Sequence, residues 1–201
     1  MMMRCEENDF PCQNPSYEEL DKTAGDELSK PIDASSLVNM SMYCMKIPVD
    51  DDFAVGDMNH KLFLKPLNGQ SGLYHLWIDH EHCDDHETHT MLCVYVGKGP
   101  PDSRIASHIK KKWPHGIELY ATFTPMMNRL SKYYEQLFLD HYDFILNRAE
   151  NSGKEKLYAV WDHERHFLGT HLNEVSGMSK MRGFDDWDAD KYHRPSLDVS
   201  S

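Results

Sequence analysis

Tyr74, Tyr95, Lys98, Arg104 and His108 put two phenols, an ammonium, a guanidinium and an imidazole into one stretch of chain. That set suits an anionic phosphorus centre. A guanidinium offers a planar fork to phosphate oxygens, a lysine adds a point charge, and phenol and imidazole can hold or move protons. Arg104 and His108 are four apart, so on a helix they share a neighbouring face. Between residues 98 and 113 the basic groups Lys98, Arg104, Lys110, Lys111 and Lys112 face a single acid, Asp102. Such a strip either draws phosphate to Lys98, Lys111 and Lys112 or is a solvated helix face.

Leu73 to Asp79 and Met91 to Val96 are rich in β-branched and aromatic residues and read as the paired strands of a hairpin. Glycines and prolines from Gly97 to Pro101 end the second strand, and Ile105, Ile109 and Trp113 then mark the buried stripe of a helix. Ile117, Leu119, Ala121 and Phe123 alternate with Glu118, Tyr120 and Thr122, the pattern of a third strand with one buried face. Thr124 and Pro125 read as N-cap and first residue of a second long helix. Its core stripe is Met126, Leu130, Tyr133, Tyr134, Leu137, His141, Phe144 and Ile145, with Glu135 on the flank shared with Phe138 and Tyr142. Asn147 ends that helix as a C-cap candidate whose amide is also suited to phosphate or to bracing a loop, with Asn151 a nearby substitute. Lys61 to Leu67 and Leu157 to Trp161 read as additional strands, and 162–166 as a polar loop. The pattern predicts an α/β (α+β) domain, a small antiparallel sheet with helices packed against it.

Gly72-Leu73-Tyr74, Tyr95-Val96-Gly97, and Arg104 with His108 resemble the signature of the GIY-YIG endonucleases, and Glu135 and Asn147 extend it in order. The resemblance covers roughly Gly72 to Asn147. It implies that Glu135 binds one divalent ion, Mg²⁺ or Mn²⁺, and that Tyr74 is the general base. Arg104 would then stabilise the charge growing on the scissile phosphate, His108 accept a proton from Tyr74 or hold its hydroxyl, and Tyr95 position the phosphate. Asn147 completes the set of catalytic residues that the resemblance implies. A free phenol has a pKa near ~10, so a basic role for Tyr74 needs cations around it. The segment between Tyr74 and Tyr95 is longer than in most members, a length tolerated in the type II restriction branch.

The chain has 201 residues and a formal net charge of −12, enough for one domain with extensions. Net acidity argues against an indiscriminate nucleic-acid binder. The acid is unevenly spread: residues 1–70 carry 13 acidic groups against 6 basic ones. The excess thus lies mostly outside the motif region, which leaves the basic strip effective locally. Five cysteines, an odd number without a Cys-x-x-Cys pair, suit reduced thiols. The polar first residues show no secretory pattern, and no apolar run reaches the roughly 18 residues of a membrane span. A soluble, cytoplasmic protein is expected.

The segment between the hairpin strands holds His80, His82, Cys83, His86 and His89 among Glu81, Asp84, Asp85 and Glu87. Imidazole and thiolate suit zinc, but a flexible polar turn lacks the fixed geometry and supporting shell of a tight site. It is therefore expected to contact substrate or partner rather than to hold a structural zinc. Asp50, Asp51 and Asp52 form an acidic triplet, either a divalent-ion ligand set or a loop and capping cluster. Residues 1–66 read as an acidic extension, mobile or loosely docked up to about Asp33, 67–150 as the core, and 151–201 as a C-terminal extension ending in an acidic tail around Trp187.

Taken together, these residues predict metal-dependent hydrolysis of DNA phosphodiesters, most like the type II restriction branch and as a homodimer on a palindrome. Two alternatives stand beside it. One is a stand-alone nuclease of repair or toxin type, and the other a non-enzymatic metal- or partner-binding module on the same fold.

Overall fold

The computed structural model describes residues 13, 15–39, 41, 43–49, 59–148 and 151–169. The acidic triplet at 50–52 and the tail from 170 onward lie outside these residues. Within them the chain forms strands β1 (Tyr43–Ile47), β2 (Gly72–Cys83), β3 (Thr88–Gly99), β4 (Leu119–Pro125) and β5 (Tyr158–Asp162). The helices are α1 (Glu18–Glu27), α2 (Ala34–Val38), α3 (His60–Leu64, continued by a 3-10 turn Lys65–Leu67), α4 (Pro101–Lys111), α5 (Asn128–His141) and α6 (His163–Leu168). All strand pairs are antiparallel, in the order β1-β4-β2-β3-β5. This is the expected mixed architecture of a sheet flanked by helices.

Both faces of the sheet are buried. Leu73, Trp77, Met91, Cys93, Val96, Tyr120 and Trp161 belong to a core shared with α1 and α5, whereas Tyr74, Leu76, Val94, Leu119, Ala121 and Phe123 belong to a second core with Leu64 and Ile105. The third strand therefore has two buried faces rather than one. Ile117, expected to start its apolar face, lies before β4 and is 40% exposed.

Several expected elements differ. Thr124 and Pro125 do not start a helix; they pair with Leu73 and Gly72 at the end of β4, and α5 begins at Asn128. Proline is tolerated there because it sits at a strand terminus, where its missing N–H breaks no interior ladder. α5 stops at His141, so Phe144 packs in the core from a turn and Ile145 is 61% exposed. Lys61 to Leu67 is helix α3 and a 3-10 turn, not a strand, with the Asn59 side chain accepting from the Lys61 N–H as its cap. Residues 162–166 do not form a loop; Asp162 caps α6 by accepting from the Arg165 N–H. Residues 17–28 are docked rather than mobile. Tyr17, Leu20 and Ala24 are buried, and α1 packs on α5.

The hairpin is more ordered than a polar loop would be. β2 and β3 each run 12 residues and leave only 84–87 as the turn, with Glu87 in the left-handed region at φ 49°. Two shifts interrupt their pairing. At the first, Leu76 faces Tyr95 and Trp77 faces Cys93, so Val94 is an extra residue on β3. A bulge of this kind resets which face the following residues point to. Strict alternation from Cys93 would send Tyr95 to the α5 side; instead Tyr95 joins Val94 and Tyr74 in the opposite core.

Candidate functional site

The bulge brings the two tyrosines together. Their rings lie 5.9 Å apart at 30°, and Tyr95 in turn lies 4.2 Å from the His108 ring. Gly97 is directly opposite Tyr74 in the ladder. A β-carbon on Gly97 would come within 2.6 Å of both the Tyr74 hydroxyl oxygen and Tyr95 Cε1, so the glycine makes the space that the phenols occupy. Gly72 is equally constrained, because a β-carbon there would enter the β4 backbone, 2.1 Å from the Thr124 carbonyl oxygen. Gly99, at φ +95°, turns the chain into α4 and lies against the Arg104 guanidinium. The required glycines of the motif region are thus contact glycines in two cases and a turn glycine in the third.

Helix α4 starts at Pro101, a residue suited to a first helical turn, and turns Ile105 and His108 toward the sheet while Arg104 stays at the exposed rim. Arg104 nevertheless reaches the Tyr74 hydroxyl and helps draw its pKa down. Burial works the other way and dominates, followed by Tyr95, so Tyr74 is held well above an ordinary phenol. Its hydroxyl is buried without a well-formed hydrogen bond. The cationic neighbourhood expected to lower Tyr74 is present in Arg104 but is outweighed by desolvation. Tyr95 is also raised, first by burial; its contact with Tyr74 works against this, and the charge of Glu135 adds to it.

His108 is buried, with an unpartnered Nδ1. Burial first, then Lys112 and Arg104, push its pKa down to about 4, so it is neutral at pH 7 and able to accept a hydrogen bond or proton. Lys112 lies 6.0 Å from the centre of the Tyr95 ring, and Lys111 is exposed beside it on α4.

Glu135 and Lys98 come from the α5 side of the sheet. Their side chains are 20% and 26% exposed and lie 3.5 Å apart. The carboxylate still acts on Tyr95, so the two sets meet around the glycine-rich end of β3. Tyr74, Tyr95, Arg104 and His108 therefore come together from β2, β3 and α4, while Lys98 and Glu135 pair on the α5 face, near enough for the carboxylate's charge to reach Tyr95. Lys111 and Lys112 flank them.

Asn147 has a different position from the one expected. It lies beyond α5, not at its end, and its side chain forms a two-way bridge to the backbone of one residue. Val96 N–H donates to Asn147 Oδ1 and Asn147 Nδ2 donates to the Val96 carbonyl, both at 3.0 Å. β5 pairs with β3 only over Thr88 to Leu92; beyond it Cys93 N–H donates to the Leu157 carbonyl and Val94 O accepts from Leu146 N–H, so the edge is met by irregular chain. Asn147 stands in for the missing strand next to Tyr95. Asn151 is committed likewise to Asp143 and to the Phe144 backbone.

A second cluster lies at the opposite end of the hairpin. Asp79, His89 and His166 place one potential metal-ligating atom each within 4.8 Å of one another. His166 falls in a stretch that reads as a loop from pattern alone, although Asp162 as an N-cap and Glu164 in the first turn carry a helix-start signal. Among the described residues no helix is long and apolar enough to cross a membrane, and Cys44, Cys83 and Cys93 are buried. No family profile, curated protein or solved structure matches this chain.

Proposed function

We propose that this chain is a metal-dependent endonuclease of the GIY-YIG type that hydrolyses phosphodiester bonds in DNA. The observation that supports the reading is the grouping of Tyr74, Tyr95, Arg104 and His108 from β2, β3 and α4 at the end of β3, with Glu135 of α5 near enough for its charge to act on Tyr95. Arg104, on the exposed rim, receives the phosphate with its planar fork, and Lys98, Lys111 and Lys112 add the local positive field. Tyr95 and neutral His108 line the floor and orient the scissile group. Tyr74 first gives its own proton to neutral His108 or to solvent; the phenolate, held by the positive charge of the occupied site, then takes the proton from the attacking water, and Arg104 stabilises the charge that develops.

Glu135 is the residue that would hold the ion. A single carboxylate, one-fifth exposed and balanced only by a flexible lysine, suits a hard cation that keeps water and phosphate as its other ligands. One Mg²⁺ or Mn²⁺ there supplies charge relief on the phosphate and acidifies a bound water. Lys98, released from the carboxylate, turns to the phosphate. Within this reading the type II restriction branch is favoured, acting as a homodimer on a palindromic site.

Nicking of supercoiled plasmid tests the proposal. Cleavage is expected with Mg²⁺ or Mn²⁺, is abolished by a chelator, and is lost in Glu135→Gln with the fold intact by circular dichroism. Plasmid left intact by the wild type under all metal conditions, across several DNA sequences, would overturn it.

A further inference from the structure

The hairpin end remote from Tyr74 is built from residues the proposed nuclease site does not use. Pairing of Asp79 with Met91 puts Asp79 on the α5 face of the sheet, and His89, two residues before Met91, shares that face. α6 lays His166 on the same face, its ring 4.8 Å from Tyr120 and close to the buried Trp161 core. The result is a carboxylate between two imidazoles. Asp79 Oδ2 lies 3.1 Å from His89 Nδ1 and 2.8 Å from His166 Nε2. The His89 and His166 side chains are only 8% and 4% exposed.

These contacts are not those of a satisfied hydrogen-bond network. His166 Nε2 approaches the carboxylate off the hydrogen-bond direction and has no hydrogen-bond partner, nor does Nδ1 of the same ring. His89 Nε2 is also buried and unpartnered. Leaving such a group unmade costs about 1–3 kcal/mol, and an ion bound at the ring nitrogens that face Asp79 would give His166 Nε2 its missing partner. The rings stack at 3.6 Å and 5°, an arrangement that two imidazolium cations would disrupt. One carboxylate between two imidazoles is instead a donor set for a borderline divalent metal.

We propose that Asp79, His89 and His166 form a binding site for one zinc-class divalent transition-metal ion, which ties the β2–β3 hairpin to α6. Ligands at ~2.0–2.1 Å from zinc stand ~3.3 Å apart in a tetrahedron, so the two carboxylate–imidazole separations need to open by only a few tenths of an ångström, while the ring nitrogens, within 4.8 Å of one another, adjust to the same spacing. The stacked rings must also splay, because parallel imidazoles aim their in-plane lone pairs side by side rather than at a common point. Side-chain rotation of one ring provides this. Three protein ligands leave a fourth position, which the neighbouring His163 or water can take. His82, although 4.6 Å from His89 ring to ring, is paired with Asp84. The site is at the far end of the hairpin from Tyr74, shares no residue with the nuclease reading and is independent of it.

Full-length protein, stripped with a chelator and dialysed, should take up one Zn²⁺ by calorimetry and melt at a higher temperature with Zn²⁺ present. Mg²⁺ should not reproduce the shift. Asp79→Asn and His166→Ala should each weaken Zn²⁺ binding by about 100-fold or more, at least the loss seen for changes outside the ligand shell. Cys83→Ser, at the adjoining end of β2, should leave it unchanged. Because a variant can fail by misfolding, Co²⁺ is added to the wild type as a second measurement: the visible bands should be those of nitrogen and oxygen ligation, without a thiolate charge-transfer band. No Zn²⁺ uptake at micromolar concentration, a thiolate band, or full Zn²⁺ binding by folded His166→Ala overturns the site.

Discussion

Lys98 Nζ stands 3.5 Å from a Glu135 carboxylate oxygen, joining the end of β3 to the middle of α5 with both side chains mostly buried. The pair holds the carboxylate toward Tyr95 while leaving the lysine able to exchange partners. Removing the lysine should therefore alter phosphate affinity more than stability. Lys98→Met is expected to change the unfolding free energy by no more than about 1 kcal/mol, the scale of a partly exposed ion pair. DNA binding by gel shift should weaken and show a shallower salt dependence.

Tyr74 should separate stability from activity. Its hydroxyl is buried without a well-formed hydrogen bond, so Tyr74→Phe removes a desolvated polar group and should leave stability equal or higher. Single-turnover cleavage should nevertheless collapse. Arg104→Ala should slow the same step by ~10² or more, as for loss of a donor to developing charge. A folded Tyr74→Phe protein that cleaves at the wild-type single-turnover rate refutes the assignment of Tyr74 as base.

Gly97→Ala should disturb both phenols at once. The new methyl meets Tyr74 and Tyr95 at 2.6 Å, and the fully buried Tyr74 ring has no room to swing away. Overpacking of this kind costs about 1–3 kcal/mol, to be read from the urea midpoint at unchanged m-value.

Asn147→Ala should strip Val96 of its partners on the open side of β3. A loss of about 1–3 kcal/mol is expected from the unmade backbone bonds. Cleavage should fall too, because Val96 lies between Tyr95 and Gly97. Asn147→Asp cannot restore both bonds, since a carboxylate only accepts; recovery of full stability by this variant would show that the bridge does not matter.

Acid should destabilise the protein partly through His75. This residue is fully enclosed against Phe138, and burial drives its pKa down to about 3. Above its unfolded value of 6.5 neither state is protonated and there is no penalty. As pH falls from 6.5 toward 3 the unfolded chain binds a proton that the native state refuses, so stability declines over that window. His108, lowered to about 4, adds in the same direction. His75→Phe should flatten the fall in melting temperature between pH 7 and pH 4; an unchanged slope would exclude His75 as a source.

The paired hairpin strands, the helix carrying Arg104 and His108, the strand around Ala121 and the helix bearing Glu135 were all legible from local pattern. They rest on interactions between near neighbours: β-branched alternation, the Ile105 stripe, and glycines and prolines that cannot continue a strand. The α1 stripe of Tyr17, Leu20 and Ala24 was equally local but obscured by the acids around it. Element ends were less legible, because Thr124 and Pro125 satisfy a helix-start pattern as well as the end of a strand, and only pairing with Gly72 and Leu73 decides between them.

Register and edges belong to the tertiary structure alone. Alternation counts residues and cannot tell that Val94 is surplus until β2 lies beside it, yet that one residue decides which face Tyr95 joins. Asn147 becomes a bridge only because β5 stops short and exposes the β3 backbone. His166 comes to Asp79 and His89 only when α6 folds back onto the sheet. The sequence by itself determined which chemical groups the chain carries and which local elements hold them, since those depend on neighbours along the chain. Only the folded sheet decided which groups share a face, since hydrogen bonding between distant strands, with its bulges and open edges, sets that geometry.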